Sequence, residues 1–143
     1  MLEHQLMEHE GTKRHPRTGR HVVYRCPAGK LTVGYGRNLE GHGLSEDEAL
    51  ALLRNDIEMA RAELWRAFPW FRSVDEVRQA AFINMHFNLG LPTLRGFVKT
   101  LGAAARGDWD TCAREMLNSN WARQVKGRAT ELAEQVRTGK WQR

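Results

Sequence analysis

The sequence has no apolar run long enough to cross a bilayer, so no stable membrane insertion is expected. Its opening, MLEHQLMEHEG, lacks the basic start, apolar stretch and small-residue cleavage site of a secretory signal, and it reads as neither leader nor anchor. Cysteine is scarce. The two present, Cys26 and Cys112, stand far apart with no metal-type or redox-type spacing. In a cytosolic chain both are expected as free thiols. His9 and His86 have no partners at metal-ligand spacing. The glycines of GYGRNLEGHG do not fall at phosphate-loop positions, and no lysine follows where one would hold a phosphate. No internal repeat, low-complexity tract or Gly/Ser/Pro-rich linker divides the chain. A helix-turn-helix signature, zinc spacing and an aromatic–basic strand motif are all missing, which argues against a nucleic-acid partner.

What is present fits one modest domain. With 143 residues, 41% of them hydrophobic, the chain can build one ordinary core and can fold as two lobes sharing a helix. A formal charge of +5 and a pI near 9.7 point to an anionic partner. Nucleic acid, an anionic lipid surface and a carboxylate-bearing cell-wall polymer all belong to that class. Basic residues cluster modestly in KRHPRTGRH, Lys13 to His21.

Periodicity sets the architecture. Leu2, Leu6 and His9 share one face of a first helix that Gly11 should end. From Thr12 to about Leu39 the pattern turns β-prone: HVVYR and KLTVGYG are strand-like, and HPRTG and PAG mark turns. Ser45 and Glu48 form a capping box. Behind it Ala49, Leu53, Ile57, Ala60 and Leu64 make an apolar stripe along a long helix that ends before FPWF. Ser73 and Glu76 repeat the box, opening a helix with Val77, Ala80, Ala81, Asn84 and Phe87 that Gly90 stops. Pro92 suits the first turn of a helix carrying Leu94, Phe97, Val98 and Leu101. Asp108 caps another, with Trp109, Cys112, Ala113 and Met116. A last helix, Arg128 to Arg137, closes at Gly139. The expected fold is α+β and mostly α, in a single domain over 1–143. A β-containing lobe covers about 12–45, a connecting helix about 46–66 and a helical lobe about 73–143, with the first helix, 1–10, packing on the helical lobe.

Three residues invite chemistry, and each also has a plain structural reading. Glu10 ends the first helix beside Gly11. It is either a solvated terminal carboxylate or a half-buried acid ready to give up a proton. Cys26 sits at the mouth of the Pro27-Ala28-Gly29 turn as a nucleophile, a base or a small buried hydrophobe. Thr32 lies on a strand, where threonine is ordinary.

The combination is more specific. HEG, then YRCPAGKLTVGYG with five residues between Cys26 and Thr32, resembles the catalytic region of the phage-type lysozymes. These are endolysins of tailed bacteriophages in glycoside hydrolase family 24, here in the variant with Cys at the second catalytic position. The resemblance continues through VRQAAFINMHFNLG, GFVKTL and NWARQVKGRA…VRTGKW, covering most of the chain in order. It implies a lysozyme-like two-lobed fold: a small β-sheet N-terminal lobe, a long connecting helix and a helical C-terminal lobe. It implies a muramidase cutting the β-1,4 bond between N-acetylmuramic acid and N-acetylglucosamine in peptidoglycan, for host lysis and phage release. Glu10 matches the general acid, Cys26 the second catalytic group and Thr32 the threonine lining the water site. Arg128 matches an arginine that pairs with the acid, and Phe87 and Asn88 match residues lining the saccharide cleft. No metal or organic cofactor is implied. The enzyme is expected as a monomer that waits in the host cytoplasm until a holin releases it to the wall.

The pattern departs from the family in two respects, one of them a shorter segment after Leu39, where EGHG leads straight to the Ser45 cap and a cleft-side loop is missing. Fifteen residues separate Glu10 from Cys26, where the family has eight, and the extra length falls in TKRHPRTGRHVV. It is expected to form a longer strand–turn–strand tip around Pro16 to Gly19. If Cys26 is idle, Glu10 alone suits a lytic transglycosylase. A basic nucleic-acid-binding protein is the alternative outside carbohydrate chemistry.

Overall fold

A computed structural model describes residues 1–142. The chain is mostly helical, with one three-stranded antiparallel sheet. It divides into two compact units, one ending at Leu53 and the other starting at Arg54.

In the first unit, α1 (Leu2–Glu10) stops where Gly11 takes φ 65°, with its N–H donating to Met7 O at 3.2 Å. Leu2 and Leu6 are exposed rather than buried, and no residue of α1 is buried. The basic stretch then turns back on itself as the sequence suggests. Arg14 and His21 form a β-bridge, Val22 N–H donates to Lys13 O at 3.0 Å, and Gly19 N–H donates to His15 O at 2.9 Å. The sheet follows: β1 (Tyr24–Arg25), β2 (Leu31–Val33) and β3 (Arg37–Asn38), in that order. Thr32 occupies the centre, opposite Tyr24 on one side and Asn38 on the other.

The capping box at α2 (Glu46–Ala67) forms in both directions: Ser45 N–H to Glu48 Oε1 at 2.9 Å, and Glu48 N–H to Ser45 Oγ at 3.1 Å. Glu48 also receives both terminal nitrogens of Arg37, at 2.7 and 2.5 Å. This fork, with the Ser45 N–H, holds the Glu48 carboxyl down at about 2 from an ordinary 4.5. A depressed folded value means the pairing stabilises fully above about 4.5 and fades as pH falls toward about 2. Glu48→Gln should therefore flatten the pH dependence of the melting temperature across that window. An unchanged slope in thermal melts from pH 5 to about 2 would show that the pairing is not linked to folding.

The apolar stripe of α2 is buried only toward its end, at Ala60 and Leu64; Leu53 is exposed. The reason is local, because the first unit offers a two- and three-residue-strand sheet but no apolar layer, and its one buried side chain is Thr32. The core lies in the second unit. After a 3-10 turn, Pro69–Ser73, the chain forms α3 (Glu76–Leu89), α4 (Leu91–Arg95), α5 (Val98–Arg106), α6 (Trp109–Leu117), α7 (Asn120–Val125) and α8 (Gly127–Thr138). Phe71 and Phe82 meet edge to face at 6.1 Å, with Leu64, Met85, Leu94, Met116 and Val136 fully enclosed around them. Each such side chain contributes about 1.5–3 kcal/mol by leaving water.

Two sequence expectations need correcting here. Ser73 does not cap α3; it is used up in the 3-10 turn, and Asp75 caps instead, accepting from Arg78 N–H at 3.1 Å. The helix expected from Pro92 through Leu101 is two helices, broken at Gly96 and Phe97. The Gly90 stop and the Asp108 cap stand where they were read, and the last helix closes at Gly139 in a left-handed conformation.

Candidate active site

Cys26 begins a hairpin loop. Its N–H donates to Lys30 O at 3.0 Å, and Gly29 N–H returns to Cys26 O at 2.8 Å. A three-residue loop of this kind needs a left-handed residue at its end, and Gly29 supplies it at φ 80°. The result is a half-buried thiol above the peptide N–H groups of its own turn. The Lys30 N–H lowers the thiol pKa from its ordinary 9.0. Partial burial opposes this, while the Ala28 N–H and the Thr32 hydroxyl reinforce it. Donors aimed at sulfur favour its anionic form, the nucleophilic and basic one.

Thr32 is 2% exposed, so it is a buried strand residue, and its hydroxyl donates to Lys30 O at 2.8 Å. The hairpin thus brings Cys26 and Thr32 together on one peptide, that of Lys30. Arg25 and Lys30, the cations nearest in sequence, are instead drawn to Glu40 at 3.5 and 3.9 Å. Backbone dipoles, not these side chains, condition the thiol.

Glu10 closes α1 and is exposed rather than half-buried. Its carboxylate lies over Gly36, in the turn between β2 and β3: a Cβ on Gly36 would come within 3.2 Å of Glu10 Oε2. Gly36 also has φ 95°, which side-chain-bearing residues rarely adopt, so backbone conformation and space both call for glycine there. Sequence alone did not single this residue out. Beside it, Val33 to Arg37 line an open hollow of about 430 Å³ with His42, Leu44 and Glu48.

In the second unit the remaining candidates gather on α3. Phe87 is 44% exposed. Asn88 Oδ1 accepts from Trp121 Nε1 at 2.6 Å, tying it to the wall of a hollow of about 560 Å³ lined by Phe97, Thr100, Glu115 and Trp121 among others. Arg128, near the start of α8, donates from Nε and Nη2 to Asn84 Oδ1 at 2.9 and 2.7 Å, and from Nη2 to Asn84 O at 3.2 Å. Asn84 therefore positions the guanidinium, a role its place in an apparent apolar stripe concealed. Phe87, Asn88 and the Arg128 anchor all lie within the last six residues of α3.

The thiols differ sharply. Cys112 is fully buried on α6, and burial pushes it up to about 12, as expected of a packing residue. Cys26 alone has the exposure and the donors for chemistry.

Comparison with known proteins places this geometry in context. The phage lysozyme family model matches residues 9–138. The pre-baseplate central spike protein Gp5 of Enterobacteria phage T4 is 28% identical over 114 residues, which is 76% of this chain and 20% of that protein. A probable T4-type lysozyme 1 of Dictyostelium discoideum is 27% identical over 100 residues, 67% of this chain and 58% of that protein. The chain thus spans less than two thirds of the length of either relative.

Proposed function

This chain belongs to the phage lysozyme family, and from that premise we propose that it is a muramidase. It hydrolyses the β-1,4 bond between N-acetylmuramic acid and N-acetylglucosamine in peptidoglycan. The observation carrying this reading is the family match from residue 9 to 138, which includes Glu10, Cys26 and Thr32. The lowered thiol pKa at Cys26 supports the division of labour.

Glu10 donates its proton to the leaving glycosidic oxygen as the C–O bond breaks. The Cys26 thiolate takes a proton from water, whose oxygen bonds to the anomeric carbon. The proton on sulfur then returns through solvent to the Glu10 carboxylate, restoring both groups. Thr32 holds the thiolate and its water. Phe87 and Asn88 contact saccharide, and Asn84 holds the Arg128 guanidinium in place. The biological role is host lysis, with the enzyme held in the cytoplasm as a monomer until a holin lets it reach the wall.

The test is digestion of purified Gram-negative peptidoglycan, with the released muropeptides identified by mass spectrometry. Ordinary reducing N-acetylmuramic acid ends are expected. Anhydro ends, lighter by one water, would mean transglycosylation by Glu10 with an idle thiol. No release would end the enzymatic reading.

A further inference from the structure

The net positive charge of this chain arises in one segment. From Gly11 to Leu39 there is no Asp or Glu, against seven Lys and Arg: Lys13, Arg14, Arg17, Arg20, Arg25, Lys30 and Arg37. The whole chain carries +5, so everything outside this segment sums to −2. Three of the seven are answered by carboxylates: Arg25 and Lys30 by Glu40, and Arg37 by Glu48. The other four, all in the hairpin between Thr12 and Val22, have no carboxylate within 4.0 Å among the described residues.

This hairpin is built, not merely tolerated. His15 N–H donates to Arg20 O at 2.8 Å, and the His15 ring accepts from the N–H groups of Arg17 and Thr18 at 3.1 and 3.3 Å. Its base is fastened to the turn between β2 and β3. Arg14 donates to Gly19 O at 3.0 Å and to the Tyr35 hydroxyl at 2.9 Å, His21 meets the Tyr35 ring edge-on at 5.1 Å, and Thr12 bonds the His21 ring at 2.8 Å. Tyr35 is the neighbour of Gly36, on which the Glu10 carboxylate rests. One arginine is therefore spent on holding the hairpin beside the candidate acid, leaving Lys13, Arg17 and Arg20 exposed, with no carboxylate within 4.0 Å among the described residues.

We propose that the Lys13–His21 hairpin is a second substrate-binding element, gripping the free carboxylates of peptide stems on the peptidoglycan whose glycan Glu10 cleaves. The inference rests on the muramidase reading for its choice of polymer. Neither hollow described above is lined by a hairpin residue, and Lys13, Arg17 and Arg20 are each exposed on the hairpin. The muramidase reading supplies the complementary charge, the free carboxylates of the wall polymer. Guanidinium forks bind carboxylate in two-pronged fashion. The attraction acts through water and is screened beyond about 8 Å at physiological salt, so it guides and retains the enzyme without competing with catalysis.

The experiment reads binding without turnover. Full-length Glu10→Gln protein, with and without Lys13→Gln/Arg17→Gln/Arg20→Gln, is pelleted with purified sacculi, with sacculi whose carboxylates have been amidated, and with lipopolysaccharide vesicles. The triple substitution is expected to weaken binding to native sacculi by roughly tenfold, the scale of three exposed ion pairs. Both proteins should bind amidated sacculi equally weakly, with unchanged circular dichroism. Native-like pelleting of the triple variant, undiminished binding of the parent to amidated sacculi, or preference for the vesicles would each overturn the proposal. Because no cleavage is measured, a failed digestion test would leave this result standing, and the reverse also holds.

Discussion

Glu10→Gln is expected to slow solubilisation of peptidoglycan by about 10²–10⁴-fold, the contribution of a positioned general acid. Glutamine keeps the shape and hydrogen-bonding reach of the side chain but has no proton to give the leaving oxygen. The fold should not notice, since Glu10 is exposed at the end of a helix with no buried residue. Surface changes of this kind stay within about 0.5 kcal/mol. The decisive comparison is turbidity loss of a wall suspension beside a thermal melt of the same sample. An inactive protein with a native melt places the acid at Glu10. Substantial residual lysis would put it elsewhere, and a collapsed melt would make Glu10 structural.

The second large effect belongs to Cys26. Cys26→Ser should lose on the order of 10²-fold or more, because a hydroxyl in that turn is not ionised at neutral pH and cannot accept the proton of water. Cys26→Asp should retain activity. Its pH profile should separate a working base from a packing residue. On the proposed mechanism the active form is the thiolate, so activity should rise as pH climbs through the thiol pKa, which the Lys30 N–H and its companions hold below 9.0. In the aspartate variant the same rising limb should move to about pH 4, where a carboxyl titrates. Equal rates for serine and cysteine, or an unmoved limb in the aspartate variant, would make Cys26 structural. Cys112 should not mimic these effects, being sealed in the core with its thiol pushed up to about 12.

Features governed by neighbours in sequence were legible. Ser45 with Glu48, Asp108 and Gly139 all do what their side chains or lack of one dictate within a single turn of helix. So was the hairpin at Cys26, since Pro27 and Gly29 leave the chain few ways to go. The readings failed where two local signals competed. Ser73 and Asp75 each stand three residues before a residue they can cap, and only the 3-10 turn through Ser73 decides between them. Helix α7 was missed because six residues, Asn120–Val125, are too few to show a period, although Ser119 caps it through Ala122 N–H at 3.1 Å. Leu53 was read into the apolar stripe of α2 from spacing, yet it is exposed, because exposure depends on what packs opposite. For the site, residue identities came from the family pattern. The backbone donors at sulfur, the Gly36 seat under Glu10 and the Asn84 hold on Arg128 are contacts across space that no spacing rule encodes.

The Thr32 hydroxyl carries one hydrogen and faces two takers. It points to the Lys30 carbonyl at 2.8 Å, yet it also belongs among the groups that favour charge on Cys26. That carbonyl has a spare lone pair and keeps the Cys26 amide at 3.0 Å whichever way the hydroxyl turns. One hydroxyl therefore serves two groups of the turn, the Lys30 carbonyl and the Cys26 thiol, from the buried centre of β2. Valine would fill the same space but offer no hydrogen to either of them.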